Sequence, residues 1–481
     1  MSPHTAHPHS NPSQKIRTSV SQIRPGVSLC LSATLILTSA AVASSVTWVC
    51  STESEKWKLM PEPQIVASHP DEPPQVRATA QKTYQTIDGF GGCFNELGWT
   101  ALQKASKADR DNVLTALFGE AGCAFTMGRL PIGSSDFALD WYSLDETSGD
   151  YDLKDFSIAR DKKYLIPYVK AAMAIRPDLK CWGSAWSPPS WMKTNSNYSK
   201  GSIKWQPQIL HCYATYLARW VEEYRTEGIN IFAVFTQNEP NILSVYPSCL
   251  WTGPQLREFV ADYLGPTLRA RKTDVQLWLG TLNDGNFNDR LVTVLEDPKA
   301  NAFLTGISFQ YDARAQIGAA SELYPDKKLM QSETECNKGD NSWQDAERLY
   351  WLMRAYLENN GNSYFVWNMV LNESGMSTWK WKQNALITVN QNSGKVTFNG
   401  EYYVMRHFSQ FVKPEAKRLL TTGLWTDKIA FLNPDGSTVF VIENTKQKPQ
   451  DLVLNVADRA DGGTLKAQLP AHSVNTFVVS K

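Results

Sequence analysis

The chain has 481 residues, 42% hydrophobic and 20% charged, which excludes a globally disordered protein and supplies apolar material for a barrel-sized domain plus a smaller one. Lysine plus arginine and aspartate plus glutamate each number 48, so the net charge gives no electrostatic case for a nucleic-acid or anionic-membrane partner. A neutral substrate fits this balance, and the 17 tryptophans favour carbohydrate because sugar C–H faces stack on aromatic rings.

Residues 1–43 have the pattern of a targeting segment. Basic residues at positions 15–24 precede an apolar run, Val27–Leu37, and small residues ending at Ala43 form a cleavage site. We therefore predict a signal peptide and an exported, secreted or periplasmic, protein. The alternative is a signal anchor, since the apolar stretch extends to about Val49 and a membrane span needs roughly 20 apolar residues.

The eight cysteines do not form a disulfide framework. Cys30 lies in the targeting segment, and the odd number that is left cannot all pair within the chain. There is no CxxC motif and no Cys/His cluster. We predict that most of these cysteines are buried free thiols, and that no metal or organic cofactor is needed.

Residues 44–75 combine a short strand with a connector. Val46–Val49 has strand composition, and a proline-rich stretch follows it over residues 61–74. This strand has no partner nearby in the sequence. We expect it to join a β domain formed elsewhere in the chain.

Apolar strand-like runs alternate with helical stretches from about residue 85 to residue 412, a pattern typical of a parallel sheet covered by helices. Residues 209–224 have apolar side chains at helical spacing, and residues 254–268 begin with a proline suited to a first helical turn. Eight strands predict a (β/α)8 TIM barrel, an α/β fold, over residues 76–415. The predicted strands are Gly89–Phe94, Phe125–Ile132, Leu179–Trp186, Ile231–Thr236, Val275–Leu282, Gly306–Tyr311, Lys328–Glu333 and Ser363–Leu371.

The sequence pattern of residues 416–481 predicts a small all-β sandwich. Short alternating runs at 428–432, 438–442, 451–456 and 475–479 are separated by turn residues. With Val46–Val49 added, this domain would be built from both termini.

Two carboxylates follow the fourth and seventh predicted strands. Glu239 comes just after Phe235, and Glu333 comes just after Met330. In a (β/α)8 barrel both would point into the mouth at the carboxyl ends of the strands. Retaining glycoside hydrolysis needs such a pair about 5–5.5 Å apart, and Asn238 could bind the sugar 2-hydroxyl. Either glutamate could instead be a structural turn residue.

Arg129 closes the second predicted strand and could keep one of these carboxylates ionised. An ordinary ion pair at the rim of the barrel is an equal alternative from spacing alone. For the tryptophans, the alternative to sugar contact is core packing.

Several ordered motifs resemble glycoside hydrolase family 30, whose members include glucosylceramidases and microbial β-1,6-glucanases. The similarity runs from about Ile87 to Phe411. The matching segments are Asp88–Gly92, Arg129–Phe137, Ser184–Lys193, Asn238–Pro240, Tyr246–Leu250, Leu264–Leu268 and Trp367–Asn368.

The resemblance implies roles for individual residues. It makes Glu239 the general acid/base and selects Glu333 as the nucleophile, although Glu335 is two residues further on and, by strand alternation, would face the same side. It also implies that the remaining site residues line the glycone subsite, with Arg129 near the nucleophile. These lining residues are Asp136, Trp186, Asn238, Tyr311 and Trp367.

The chain also departs from the family pattern. Glucosylceramidase-like members have His-Trp-Tyr after strand 6, where this chain has Phe309-Gln310-Tyr311. The loop 372–381, with Trp379 and Trp381, is placed to shape an aglycone or second sugar site.

The sequence thus predicts a retaining β-glycosidase that acts on β-linked glucosides, with a carbohydrate or glycolipid as its substrate. A glucosylceramidase-like enzyme is the first expectation, and an endo-β-1,6-glucanase or a β-xylosidase is the alternative within the family. A non-catalytic carbohydrate-binding protein is the rival from another class. We expect no nucleic-acid partner and no stable membrane insertion if the targeting segment is cleaved, and the oligomeric state stays open.

Overall fold

A computed structural model describes residues 45–68, 73–336, 338–456 and 463–480. The predicted targeting segment, residues 1–43, lies outside the described residues. The strands in chain order are Val46–Ser51 (β1), Lys58–Leu59 (β2), Ile65–Ala67 (β3), Val76–Thr86 (β4), Gly89–Cys93 (β5), Met127–Pro131 (β6), Lys180–Ser184 (β7), Ile231–Phe235 (β8), Gln276–Leu282 (β9), Leu304–Gln310 (β10), Lys328–Glu333 (β11), Ser363–Asn368 (β12), Val370–Asn372 (β13), Ile387–Val389 (β14), Val396–Phe398 (β15), Lys417–Thr422 (β16), Lys428–Leu432 (β17), Thr438–Asn444 (β18), Gln450–Val456 (β19), Gly463–Leu469 (β20) and Ser473–Val479 (β21).

The helices connect the strands and cover the barrel. They are Glu96–Leu102 (α1), Lys107–Phe118 (α2), Leu165–Met173 (α3), Pro207–Thr226 (α4), Gly253–Glu258 (α5), Gly265–Ala270 (α6), Thr293–Leu295 (α7), Pro298–Asn301 (α8), Ile317–Leu323 (α9), Trp343–Glu358 (α10) and Gly400–Ser409 (α11). A π-helical segment, Phe259–Leu264, joins α5 to α6, so the helix predicted over residues 254–268 is continuous. In the described part of the chain, no helix has both the length and the apolar character needed to cross a membrane.

Strands β5 to β12 form a closed parallel barrel in which chain order equals spatial order, and β12 pairs with β5. All eight predicted barrel strands are therefore confirmed, with Ile231–Phe235 as strand 4 and Lys328–Glu333 as strand 7. Inward-pointing side chains fill the barrel, including Trp182, Phe235 and Trp278. A filled interior leaves the carboxyl ends of the strands as the place where a site can form.

The described strands outside the barrel include ten that form one sheet, in the order β2-β1-β21-β18-β17-β16-β4-β19-β20-β3. The sheet encloses its own apolar core, which includes Trp48, Phe440 and Phe477. Strand β1 pairs along its whole length with β21, from Val46 opposite Val479 to Ser51 opposite Val474. The prediction of a β-sandwich built from both termini is confirmed.

Strand β4 lies in this sheet rather than in the barrel. Val76–Thr86 pairs with β16 and β19, although the sequence analysis placed the start of the barrel at residue 76. Its C-terminal half is polar, Gln81-Lys82-Thr83, so it lacks the apolar run that marks the other strands. The barrel itself begins at Gly89.

Helix packing on the barrel depends on glycine at one contact. Helix α4 begins with Pro207 at its first turn and buries an apolar face. Its Trp220 lies against Gly183 of β7, where a Cβ atom would come within 2.2 Å of the indole ring. Only glycine lets the helix approach this closely.

The seven described cysteines, Cys50, Cys93, Cys123, Cys181, Cys212, Cys249 and Cys336, are all buried and unpaired. The prediction of free thiols is confirmed for this part of the chain.

Candidate active site

The two glutamates lie at the ends of strands 4 and 7. Glu333 is the last residue of β11, and Glu239 follows β8 in a segment held by its neighbours. The Asn238 amide donates to the Ala185 carbonyl at 2.8 Å, and the Glu239 amide donates to the Thr281 carbonyl at 3.1 Å. Glu239 has φ of 44°, which is unfavourable for a residue with a side chain. The surrounding bonds therefore fix a strained backbone at this carboxylate, as often happens at functional sites.

Gln310 connects the two carboxylates. Its Nε2 donates to Glu239 Oε1 at 3.2 Å and to Glu333 Oε2 at 3.4 Å, while its Oε1 accepts from the Ser332 hydroxyl at 2.9 Å. Because both oxygens lie within hydrogen-bond distance of this one nitrogen, they are at most about 6.6 Å apart. This limit accommodates the spacing of about 5–5.5 Å found in retaining glycosidases and leaves almost none of the range of about 6.5–9.5 Å that inverting enzymes need.

Glu333 is bound by a buried cation. Arg129 Nη1 donates to Glu333 Oε2 at 2.6 Å and to the Ser332 carbonyl at 3.0 Å. The guanidinium is fully buried and lies 4.7 Å from the ring centre of Trp186 and 4.9 Å from that of Trp367. Tyr311 Oη adds a third donor at 3.3 Å. Burial raises the pKa of Glu333, and Arg129 opposes that rise.

Among the described residues, the donors to Glu239 are uncharged. Tyr246 Oη donates to Glu239 Oε2 at 3.1 Å, and Gln310 donates to the other oxygen. Burial, and then the negative charge of Glu333, raise the pKa of Glu239 to about 7. The two carboxyl groups thus differ in the way that an acid and a nucleophile must differ.

The side chain of Asn238 is oriented by two donors that bind the same oxygen, Oδ1. Its Oδ1 accepts from Arg129 Nη2 at 2.6 Å and from Thr281 Oγ1 at 2.8 Å. Because the carbonyl oxygen is occupied, the NH2 group of Asn238 is the part that can serve a ligand.

A cavity of about 300 Å³ opens at this end of the barrel. Of the eight residues assigned to the site from the sequence, five line it: Asp136, Trp186, Glu239, Tyr311 and Glu333. The Asp136 Oδ2 accepts from Trp367 Nε1 at 3.2 Å, whereas its Oδ1 is buried and has no hydrogen-bond partner in the described residues. Burial, and then the charges of Glu333 and Glu239, raise the pKa of Asp136 well above its usual range. An unpaired oxygen of this carboxyl group in the cavity wall is suited to form hydrogen bonds with sugar hydroxyls.

The other three residues, Arg129, Asn238 and Trp367, lie directly behind this wall. Arg129 donates to Glu333, and Trp367 donates to Asp136, both of which line the cavity. Asn238 accepts from Arg129 and so contacts the residue that binds Glu333. The structure therefore brings all eight into one cluster.

Gln310 and Tyr246 are not among the eight predicted site residues, although each contacts a carboxylate. Gln310 lies in a segment that departs from the family pattern, and Tyr246 lies in one that matches it. The position of Gln310, immediately before Tyr311 at a strand end, was the signal that could have identified it.

Glu335 faces away from the cavity. Its carboxylate is bound by Arg314 and Arg348, and it is not among the residues that line the cavity. Strand β11 ends at Glu333, so the alternation that would place both glutamates on one side does not extend to residue 335.

The family model described as the glycosyl hydrolase family 30 TIM-barrel domain matches residues 87–412, and the model of the family's β-sandwich domain matches residues 416–477. The chain is 30% identical over 433 residues to the lysosomal acid glucosylceramidase of Mus musculus, covering 83% of this chain and 82% of that protein. It is 26% identical over 503 residues to the endo-1,6-beta-D-glucanase neg1 of Aspergillus fumigatus, covering 95% and 99% of the two chains.

The fold agrees with a solved member. The structure of the endo-beta1,6-glucanase BT3312 superposes with a TM-score of 0.80 at 26% identity, covering 91% of this chain and all of that one. The chain therefore belongs to glycosyl hydrolase family 30 and is a glycoside hydrolase that acts on β-linked glycosides.

Proposed function

We propose that this enzyme hydrolyses β-linked glucosides with retention of configuration, by double displacement. The observation that supports this most directly is the shared donor, Gln310, which holds the carboxylates of Glu239 and Glu333 at a spacing suited to a covalent intermediate.

The surroundings of the two glutamates support different roles. Glu333 carries the ion pair with Arg129, so it loses its proton first and is the nucleophile. The proton that the pair retains lies on Glu239, whose pKa of about 7 suits a general acid near neutral pH. Because the two glutamates interact, they share this proton. The Arg129–Glu333 ion pair determines that it resides on Glu239.

The reaction follows from these assignments. Glu239 donates its proton to the glycosidic oxygen while a Glu333 oxygen attacks the anomeric carbon and the bond to the aglycone breaks. In the second step Glu239 removes a proton from water, the water oxygen attacks the same carbon, and the bond to Glu333 breaks. The NH2 group of Asn238 is placed to donate to the sugar 2-hydroxyl, a contact that strengthens in the transition state.

An aryl β-glucoside assay tests the nucleophile. Glu333→Gln should reduce kcat by at least about 10³-fold, whereas the matched control Glu335→Gln, which removes an ion pair outside the cavity, should leave kcat within about threefold of the original. Equal rates for the original enzyme and Glu333→Gln would reject the assignment, and would favour a carbohydrate-binding protein without activity on this substrate.

Stereochemistry and chemical rescue test the mechanism separately. NMR of the first sugar released should show the β anomer, and an α product would exclude double displacement. Azide should restore turnover of an activated substrate by Glu239→Ala with a β-glucosyl azide product. Rescue of Glu335→Ala in place of Glu333→Ala would reverse the choice of nucleophile.

Apolar side chains at the rim of the cavity indicate which aglycone the enzyme accepts. Ile242 lines the cavity, and the next residues of the same loop include Leu243, 53% exposed, and Val245, 61% exposed. Trp381 also lines the cavity and is 38% exposed. An apolar rim supports a glucoside with an apolar aglycone, such as a glycolipid, as the first candidate.

An endo-β-1,6-glucanase is the second candidate, supported by the nearly full-length match to the Aspergillus fumigatus enzyme. A product profile on glucosylceramide in detergent micelles, β-1,6-glucan, gentiobiose and an aryl β-xyloside distinguishes these substrates. Highest kcat/KM on the glycolipid supports the first candidate, and release of short oligosaccharides from the glucan replaces it with the second.

We also propose export of the protein through the segment that precedes Ala43. Expression of the full chain followed by N-terminal sequencing of the exported material should give a start near Ser44. An uncleaved chain in the membrane fraction would support the signal anchor instead.

A further inference from the structure

A second pocket lies in the β-sandwich, apart from the catalytic cavity. It has a volume of about 310 Å³ and is formed by residues 424–427 between β16 and β17, residues 443–446 at the end of β18, and the side chains of Gln75 and Gln450. None of these residues lines the catalytic cavity. We call it the sandwich pocket.

Hydrogen bonds hold the walls of the sandwich pocket in place. The Trp425 amide donates to the Gln75 carbonyl at 3.0 Å, and its indole Nε1 donates to the Glu443 carbonyl at 2.9 Å. The side-chain oxygen of Gln75 accepts from the Val453 amide at 3.0 Å, which leaves its NH2 group for other partners. The pocket is thus built before any ligand arrives, as most small-molecule sites are.

Glu443 gives a second, independent indication of a ligand. Glu443 is one of the residues that line the sandwich pocket and is only 3% exposed, and its Oε1 is buried without a hydrogen-bond partner among the described residues. Leaving a buried polar atom without a hydrogen bond costs about 1–3 kcal/mol, so most such atoms have a hydrogen-bond partner. A bound ligand could supply the partner that Glu443 lacks.

The charges around the sandwich pocket favour an uncharged ligand. Asp427 is neutralised by Arg354, whose Nη2 lies 3.1 Å from Asp427 Oδ1. Burial, then the charges of Asp427 and Glu347, raise the pKa of Glu443 to about 9, so this carboxyl group is uncharged near neutral pH. The ammonium group of Lys428 is occupied by the carbonyls of Gly423 and Trp425. An ion would find no unmatched opposite charge on Asp427, Glu443 or Lys428. Lys446 is the remaining charged residue of the lining, and it is exposed, so water and salt screen its charge.

The lining of the sandwich pocket combines apolar and polar side chains. Trp425 and Leu424, which is 91% exposed, are apolar, whereas Gln75 offers an NH2 donor and Glu443 a carboxyl group. A pyranose ring has the same combination, with an apolar C–H face and an edge of hydroxyl groups that donate and accept at once. We propose that the sandwich pocket binds one neutral pyranose unit of a glycan, separately from catalysis.

The proposal is tested by 19F NMR of the full chain labelled with 5-fluorotryptophan. Glu333→Gln is used as the background so that the sugars are not consumed. Trp425→Phe and Trp186→Phe assign the signals of the sandwich pocket and of the catalytic cavity. The probes are the methyl β-glycosides of glucose, galactose and xylose, and gentiobiose. At least one should shift the Trp425 signal in a saturable way.

Leu424→Arg should block this shift, because Leu424 is almost fully exposed and its replacement fills the entrance without disturbing the fold. The matched control is Leu323→Arg, which replaces another exposed leucine (61%) on α9 of the barrel and should leave the shift unchanged. Glu443→Gln, an uncharged isostere, should keep binding within about threefold, whereas Glu443→Leu should weaken it at least about tenfold.

The two signals separate this proposal from the proposed function. A shift of the Trp186 signal alone would reject the sandwich site and leave the catalytic proposal intact. A shift of the Trp425 signal alone would support the sandwich site and reject binding of these sugars in the catalytic cavity. If no probe moves the Trp425 signal at concentrations up to 100 times those that saturate Trp186, or if neither signal moves at all, the sandwich site is rejected.

Discussion

Gln310 is the residue that distinguishes this site most clearly, because one uncharged side chain contacts both carboxylates. Family members of the glucosylceramidase type have a His-Trp-Tyr triplet in this region, and a histidine could titrate within the working pH range. An amide cannot. The pH dependence of this enzyme should therefore be set by carboxyl groups of the cavity. Beside Glu239 and Glu333 these include Asp136, whose pKa is raised well above its usual range by burial and then by the charges of the two glutamates.

Replacing Gln310 by methionine keeps the length of the side chain but removes the donor. Hydrogen bonds to charged groups contribute about 1.5–3 kcal/mol, so kcat on an aryl β-glucoside should fall roughly 10–100-fold. The pKa values of both carboxyl groups should rise, since each charged form loses a donor, and both limbs of the pH profile should move to higher pH. An unchanged profile with unchanged kcat, in a variant that unfolds at the same temperature as the original, would contradict this role.

Glu239 should set the alkaline limb of activity. The first step needs its protonated form, so kcat/KM should fall tenfold per pH unit above a pKa of about 7. Tyr246→Phe removes the phenol that stabilises the charged form of Glu239, so the limb should move to higher pH. A pH series of kcat/KM for both proteins checks this. Movement of the limb to lower pH would contradict the assigned direction.

At the level of elements, the barrel strands were predictable because each is a short apolar run bounded by turn residues, as in Ile231–Phe235. Strand β4 was not, since its residues 80–86 are polar and reveal a strand only through pairing with β16. The positions of Glu239 and Glu333 followed from strand counting. The outward turn of Glu335 did not, because it depends on where β11 stops and on ion pairs with Arg314 and Arg348, which lie in two other elements.

The contact between β7 and α4 gives a test of packing. Gly183→Ala places a methyl group 2.2 Å from the Trp220 ring, and both residues lie in a closed core, so the free energy of unfolding should fall by about 1–3 kcal/mol. Urea unfolding measures this, with Gly285→Ala as the control because a Cβ there meets no atom within 4 Å. Combining Gly183→Ala with Trp220→Leu should cost less than the sum of the two single changes. Strict additivity would show that the ring does not limit the contact.

At the scale of the whole molecule, the barrel and the sandwich are joined by buried polar contacts. His407 of α11 contacts two neighbouring strands of the sheet, β21 and β1, with Nδ1 2.9 Å from Thr476 Oγ1 and Nε2 2.9 Å from Ser51 Oγ. Tyr350 of α10 donates to the Val441 carbonyl at 3.0 Å. Because β1 and β21 come from distant parts of the sequence, His407 connects a barrel helix to both.

This connection should make stability depend on pH. Burial, and then the charge of Arg406, lower the pKa of His407 to about 3, whereas an unfolded histidine titrates near 6.5. Between these values the unfolded chain holds the extra proton, so acid favours unfolding and the stability conferred by neutral His407 is lost as pH falls below 6.5. Glutamine can donate and accept at the same two hydroxyls but does not titrate.

The free energy of unfolding of the original protein, minus that of His407→Gln, should therefore be constant above about pH 7.5 and decrease by roughly 2–3 kcal/mol by pH 4.5. Denaturant unfolding at a series of pH values measures this difference, and subtraction removes the contribution of the other titrating groups. Parallel curves for the two proteins would mean that His407 is protonated in the folded state, which would require its two hydroxyl partners to act as acceptors and the interface around it to admit water.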